Sequence, residues 1–279
     1  MDILSAVLFG IIQGATEFLP VSSSAHLALC HSFFGLVPAD AYPGFDVMLH
    51  LGTLIAVFIA YRADMPGVCK GYFTSVPKLF KNRFSLEKLD INERIAVFTV
   101  IVTVPAVIFA LLGGADISDN IALYPGFIGA LLIFNGVLLI LTDMIKTEKY
   151  TVSDVKYRHA LTAGLFEAIA VLPGISRSGA TVFAGRLCGV KKYDAVKLSF
   201  ISSVPAILGA VVLKAPDVAR ASLSLNSAAV YTVGCLTAAA AGLCAIKLIK
   251  FISDRSKFRY FSFYCFALGA YAIYRTMKG

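Results

Sequence analysis

The sequence predicts an all-α, polytopic membrane protein with six full spans plus two re-entrant helical hairpins in an inverted-topology repeat. Three observations lead there. First, hydrophobic residues make up 58% of the 279 positions and charged residues only 15%, where a soluble domain carries roughly 25% charged residues. Apolar runs recur from end to end, the mean hydropathy is +0.79, and no run has the short alternating pattern of a membrane β-barrel. Second, one order of elements occurs twice along the chain. Third, lysine and arginine gather on one side of the layout that this order implies.

The elements follow in chain order. The opening "MDILSAVLFG" contains an acidic residue and no basic stretch, so no cleavable signal peptide is expected. An interrupted pair covers 3–19 and 21–36, and long runs follow at about 45–61, 93–112 and 121–142. A second interrupted pair covers 159–172 and 176–190, and long runs follow again at about 194–213, 226–247 and 258–275. A spanning helix takes about 20 apolar residues. The six long runs supply that. The halves of each pair are shorter and meet at a polar, proline-containing break.

The two series align. Gly10–Ser23 (GIIQGATEFLPVSS) lies over Gly164–Ser176 (GLFEAIAVLPGIS), with Gly10 on Gly164 and Gln13 on Glu167. After a one-residue gap, Leu19-Pro20 falls on Leu172-Pro173 and Ser23 on Ser176. The chain therefore reads as one integral membrane domain, 1–279, with a first repeat at 1–142 and a second at 158–279. A re-entrant hairpin crosses the bilayer zero net times. Three spans after each hairpin then start the second repeat on the opposite side, the inverted arrangement found in transporters.

Charge tests that layout. One side collects 20 Lys and Arg, from 62–94, 143–158, 186–197 and 247–259, and the other only Lys214, Arg220, Arg275 and Lys278. The positive-inside rule makes the rich side cytoplasmic and both termini external. It also accounts for the net charge of +8 without a nucleic-acid partner. The six cysteines have no metal or redox spacing and are expected to act as small hydrophobes.

Ionisable groups inside a bilayer are costly and mark function. In "QGATEFLPVSSSAH" (Gln13–His26), Gln13 and Glu17 are four apart and share a helix face. Pro20 ends that helix. Ser22 or Ser23 can cap a new one, whose free N–H groups around Ser23, Ser24 and Ala25 suit an anion. His26 falls on the same face. Serines alone could merely satisfy a solvated loop, but that does not explain Glu17 and His26 together.

The second break, "LPGISRSGAT" (Leu172–Thr181), repeats the logic. Pro173 and Gly174 turn the chain, Ser176 caps, and Arg177 and Ser178 open a helix that carries Thr181 on the face of Arg177. Arginine suits phosphate through its planar, bidentate donors. A structural pairing of Arg177 with Glu17 or Glu167 is the competing explanation. Two helix N-termini facing each other near the midplane suit a phosphate or pyrophosphate. A carboxylate beside them suits a metal ion or general-base role, and His or Ser a nucleophile. Asp46 and His50 are weaker candidates to line the site, and Asp143, Glu93, His31 and His159 are expected at interfaces. A transporter or lipid flippase is the rival function class, since broken helices at the midplane also serve transport.

These two stretches resemble the motifs of the bacterial undecaprenyl-diphosphatase family, also called the bacitracin-resistance phosphatases. "QGATEFLPVSSSAH" is similar to its motif [E/Q]-x-x-x-E-F-L-P-[V/I]-S-S-[S/T]-x-H, and "PGISRSGAT" (Pro173–Thr181) to P-G-x-S-R-S-x-x-T. The resemblance covers essentially the whole chain. It implies an enzyme of the bacterial cytoplasmic membrane that removes the terminal phosphate of undecaprenyl diphosphate, leaving the monophosphate lipid that carries cell-wall precursors. It implies a site opening to the external face and a divalent cation, magnesium or calcium, bound mainly with the substrate. By position, Glu17, Ser23, His26 and Arg177 would be catalytic, with Glu17 also the metal ligand. Gln13, Ser22, Ser24, Ser176, Ser178 and Thr181 would contact the substrate or support the site. Gln13 stands where the motif also allows a second carboxylate. The expected partners are a prenyl diphosphate lipid and the bilayer. The nucleophile (His26, Ser23 or water), the prenyl length and the oligomeric state, a homodimer included, stay open.

Overall fold

The computed structural model describes residues 1–36, 44–80, 88–220, 225–253 and 258–278. Lys81, Arg83, Lys214, Arg220, Arg255 and Lys257, which enter the charge count, lie outside the side chains it describes. Among the described residues the chain is all-helical. Its sole β feature there is an isolated bridge between Tyr150 and Val190.

The first interrupted pair forms α1 (Ile3–Phe18) and α2 (Ser23–Phe34). The second forms α8 (Tyr157–Ile169) and α9 (Arg177–Leu187). The long runs form α3 (Phe45–Ala60), α5 (Ile91–Phe109), α7 (Pro125–Met144), α10 (Lys192–Arg220), α11 (Leu225–Ser253) and α12 (Arg259–Lys278). Two further helices occupy stretches read from sequence as connections, α4 (Met65–Thr74) and α6 (Ala115–Ala122).

Four stretches among the described residues are long and apolar enough to cross a membrane: Ile91–Ala122, Pro125–Met144, Lys192–Val212 and Ser227–Ile252. The pair α3–α4, bent by 109° at the break between them, makes a fifth if it is one span. Length and composition thus give four or five spans where the sequence suggests six. The sixth run, α12, is long enough but carries Tyr260, Tyr264, Tyr271 and Tyr274, whose polar tips dilute its apolar character.

Local chemistry sets the helix ends. Asp90 caps α5 through a reciprocal capping box with Glu93. Small residues set the helix contacts. A Cβ on Gly129 of α7 would come within 2.5 Å of the Gly269 carbonyl of α12, and one on Gly269 within 2.6 Å of the Gly129 carbonyl. Only glycine on both sides permits that approach, as in membrane helix pairs. By the same close packing α1 lies along α11, α8 along α5, and α3 against α11. Large apolar side chains such as Leu4, Phe127, Val212 and Leu236 remain exposed, as a lipid-facing surface requires.

The stretches counted on the positive side meet at one end of the molecule. Lys192 is ion-paired to buried Asp143, and Asp143 also accepts from the backbone N–H of Arg259 at 2.8 Å. Arg186 donates to Glu148 at 2.7 Å, and Lys197 to Asp64 at 2.7 Å. Lys250 reaches the Ala60 carbonyl at 3.1 Å and lies 3.7 Å over the Tyr61 ring.

Candidate active site

Each break is built by the residues that interrupt it. Helix α1 stops at Phe18 ahead of Pro20, and Ser22 caps α2, its Oγ accepting from the Ala25 N–H at 3.4 Å. Ser22 takes φ of +70°, the sole positive φ of a non-glycine residue among those described, a conformation that costs about 1–3 kcal/mol. Structure around it holds it there, since its Oγ also accepts from the Gly174 N–H of the other break at 3.1 Å. Gly174 itself has φ of +121°, and a Cβ there would meet the Leu131 Cβ at 2.5 Å. Ser176 caps α9 through the Gly179 N–H at 3.2 Å.

The two breaks are laced together. Asn135, buried in α7, donates to the Pro20 carbonyl at 2.8 Å and accepts from the Ser176 N–H at 3.0 Å. Ser178 donates to the Phe18 carbonyl at 3.2 Å and stands 3.0 Å from the Ser176 hydroxyl. The first turns of α2 and α9 therefore come to one place, with N–H groups suited to an anion.

Glu17 is the hub. Its Oε2 accepts from Gln13 Nε2 at 2.9 Å and from Ser23 Oγ at 2.9 Å. Its Oε1 accepts from the Arg177 guanidinium at 2.5 Å. The Glu17 side chain is buried and the Arg177 side chain is 23% exposed. His50 lies within electrostatic reach of Glu17, and Glu167 within reach of Arg177.

Of the residues expected from sequence, Gln13, Glu17, Ser23 and Arg177 are thus directly bonded into one cluster, and Ser22, Ser176 and Ser178 hold its frame. Ser24 is exposed, 3.3 Å from the Ser22 hydroxyl. Thr181 turns away, donating to the Arg177 carbonyl at 2.8 Å and pairing with Ser199 at 2.6 Å. His26 makes no bond to Glu17 or Arg177. Its Nδ1–H donates to the Ser22 carbonyl at 2.7 Å, and its Nε2 meets the Tyr264 hydroxyl at 2.7 Å. A carbonyl can only accept, so Nδ1 carries a proton, and Nε2 is the nitrogen turned to Tyr264.

A profile of the bacitracin resistance protein BacA family matches residues 6–271. The chain belongs to the BacA family. Relatives named undecaprenyl-diphosphatase align over nearly their whole length. That of Desulfosudis oleivorans is 37% identical over 279 residues, all of both chains. That of Methanobrevibacter smithii is 36% identical over 273 residues, 96% of each chain. That of Rubrobacter xylanophilus is 34% identical over 270 residues, 97% of each.

Three residues bonded to this cluster escaped the sequence reading: Asn135, Tyr264 and Ser199. Asn135 had a signal, a lone amide inside "LLIFNGVLLI" at membrane depth. Tyr264 and Ser199 had none, because a tyrosine or a serine in an apolar helix is unremarkable until its partner is known. His159 and Asp143, expected at interfaces, are buried. His159 accepts the Lys156 N–H at 3.0 Å.

Proposed function

We infer that the protein is a membrane phosphatase that hydrolyses undecaprenyl diphosphate to undecaprenyl phosphate and inorganic phosphate. Full-length membership of a family whose relatives bear that activity's name carries this reading. The geometry supports it through the Glu17–Arg177 bond, which joins a carboxylate from one break to a phosphate-binding cation from the other.

The chemistry follows from the contacts. A diphosphate entering between the first turns of α2 and α9 meets backbone N–H groups and the partly exposed Arg177 side chain. As Arg177 turns to the phosphoryl oxygens, Glu17 is left holding Ser23. That bond is the contact between a nucleophile and its base. Ser23 Oγ attacks the terminal phosphorus and passes its proton to Glu17. The bond to the bridging oxygen breaks and undecaprenyl phosphate leaves with that oxygen. Water then attacks the serine phosphate, the P–O bond to Ser23 breaks as Glu17 returns its proton to Ser23 Oγ, and inorganic phosphate leaves with the water's oxygen and protons. Arg177 stabilises charge on the transferred group through both steps. His26 is held by Ser22 and Tyr264 beside this centre and orients groups at its rim.

The residues fit a divalent cation held in part by substrate oxygens. Gln13 Oε1 is buried with no donor among the described residues, and Glu17 is the carboxylate the first motif offers. Among the described residues no three His, Cys, Asp or Glu side chains cluster as a metal cage, in keeping with a magnesium-like ion bound through few carboxylates. Such a cation would neutralise the diphosphate charge.

The finer topology belongs to the same reading: six spans, two re-entrant hairpins and inverted repeats at 1–142 and 158–279. Exchanging the repeats maps α1 against α11 onto α8 against α5, and α7 against α12 onto itself, and all three pairings are extensive. With the basic end cytoplasmic, the site opens to the external face and both termini are external. The test is phosphate release by purified protein from undecaprenyl diphosphate and shorter prenyl diphosphates, with and without a chelator. Chelator-sensitive release is expected. A protein that moves the lipid without releasing phosphate would sink the reading.

A further inference from the structure

Glu167 stands in the last turn of α8, is 2% exposed, and both its carboxylate oxygens lack a hydrogen-bond partner among the described residues. A buried carboxylate without donors is costly. Its position adds to the cost, since a helix C-terminus favours positive charge. Glu17 is placed the same way at the end of α1, but three donors answer it. The charge that reaches Glu167 is that of Arg177, which is committed to Glu17. Glu167 therefore lies within electrostatic reach of the same centre and carries two hard-oxygen acceptors that no group among the described residues answers. It also occupies the repeat position of Gln13, whose Oε1 is likewise unpartnered.

We propose that Glu167 is the principal protein ligand of a divalent cation, supplied by the second hairpin where the first has glutamine. The proposal rests on the phosphatase reading for the diphosphate that completes the coordination shell. Helix N-termini toward the anion and helix C-termini toward the cation is an arrangement that broken membrane helices use. Glu167 fits such a ligand better than Glu17, because Glu17 already accepts from Arg177, Ser23 and Gln13, whereas Glu167 accepts from no described donor. One carboxylate with substrate oxygens and water is a normal magnesium shell.

The test is Mn²⁺ binding to the full-length protein in detergent, read by electron paramagnetic resonance with and without methylenediphosphonate, an uncleavable diphosphate. Glu167→Gln should weaken Mn²⁺ by about tenfold or more, since even residues that only support metal ligands are worth ~10–100-fold. Glu167→Asp, which keeps the charge and shortens the reach, should fall between parent and Glu167→Gln. Thermal unfolding of each variant without metal checks that the fold is intact. Parent-like Mn²⁺ titration by Glu167→Gln, or no Mn²⁺ binding by the parent in either arm, overturns the proposal. Phosphate release by the parent, measured in the same preparation, tests the phosphatase reading separately. Release together with unchanged Mn²⁺ binding in Glu167→Gln defeats only the ligand assignment, whereas weakened binding without release defeats only the reaction.

Discussion

At the scale of single residues, the contacts separate two side chains that the motif treats alike. Ser23 donates to a carboxylate, whereas His26 is tied to a carbonyl and a tyrosine hydroxyl. Quenched turnover should therefore leave phosphate on Ser23, and Ser23→Ala should abolish both the trapped species and phosphate release. Acid-labile phosphate on His26 would refute this. Tyr264→Phe removes one neutral hydrogen bond from His26, a contact worth roughly 0.5–1.5 kcal/mol. Its kcat/KM should fall by about tenfold at most, measured by phosphate release over a substrate series.

At the scale of elements, the site depends on Asn135, whose side chain bonds to both breaks. It joins the Pro20 carbonyl to the Ser176 N–H. Asn135→Leu keeps the shape and strands both backbone groups. At roughly 1–3 kcal/mol for each unsatisfied group, it should lower stability by about 2–5 kcal/mol in thermal or denaturant unfolding and reduce activity with it. Unfolding and turnover matching the parent would show that the breaks do not need this clamp. Much at this scale was legible in the sequence. Proline with a capping serine ends one helix and starts the next whatever surrounds them, so α1, α2, α8 and α9 fall where Pro20, Ser22, Pro173 and Ser176 put them. Helix α4 was not legible. "MPGVCKGYFT" carries a proline and two glycines, a poor helix alone, and tertiary packing against α5 holds it. Helix α6 is similar, a polar turn beyond a kink at Gly113, whose φ is +100°. Local propensity says nothing of such packing, nor of which long-range partner Asn135 or Tyr264 finds.

At the scale of the whole molecule, charge and packing point the same way. The Lys192–Asp143 pair is buried at the basic end. Asp143→Asn leaves an uncompensated ammonium and should destabilise the fold by about 3–5 kcal/mol, while replacing both partners with apolar residues should recover most of that loss. Equal stability of the single and double variants would contradict this. Reporter fusions at the C-terminus should read external, and a cytoplasmic signal would reverse the topology together with the face on which the site opens.

The central claim is that two broken helices from opposite repeats build one phosphatase centre, with Glu17 from the first and Arg177 from the second. The most direct test is phosphate release from undecaprenyl diphosphate by the purified parent, Glu17→Gln and Arg177→Lys, with folding verified for each. The account predicts release by the parent and a loss of about 10²–10³-fold or more in both variants, the scale of removing a charge-stabilising donor. Parent-like release by either variant would contradict it.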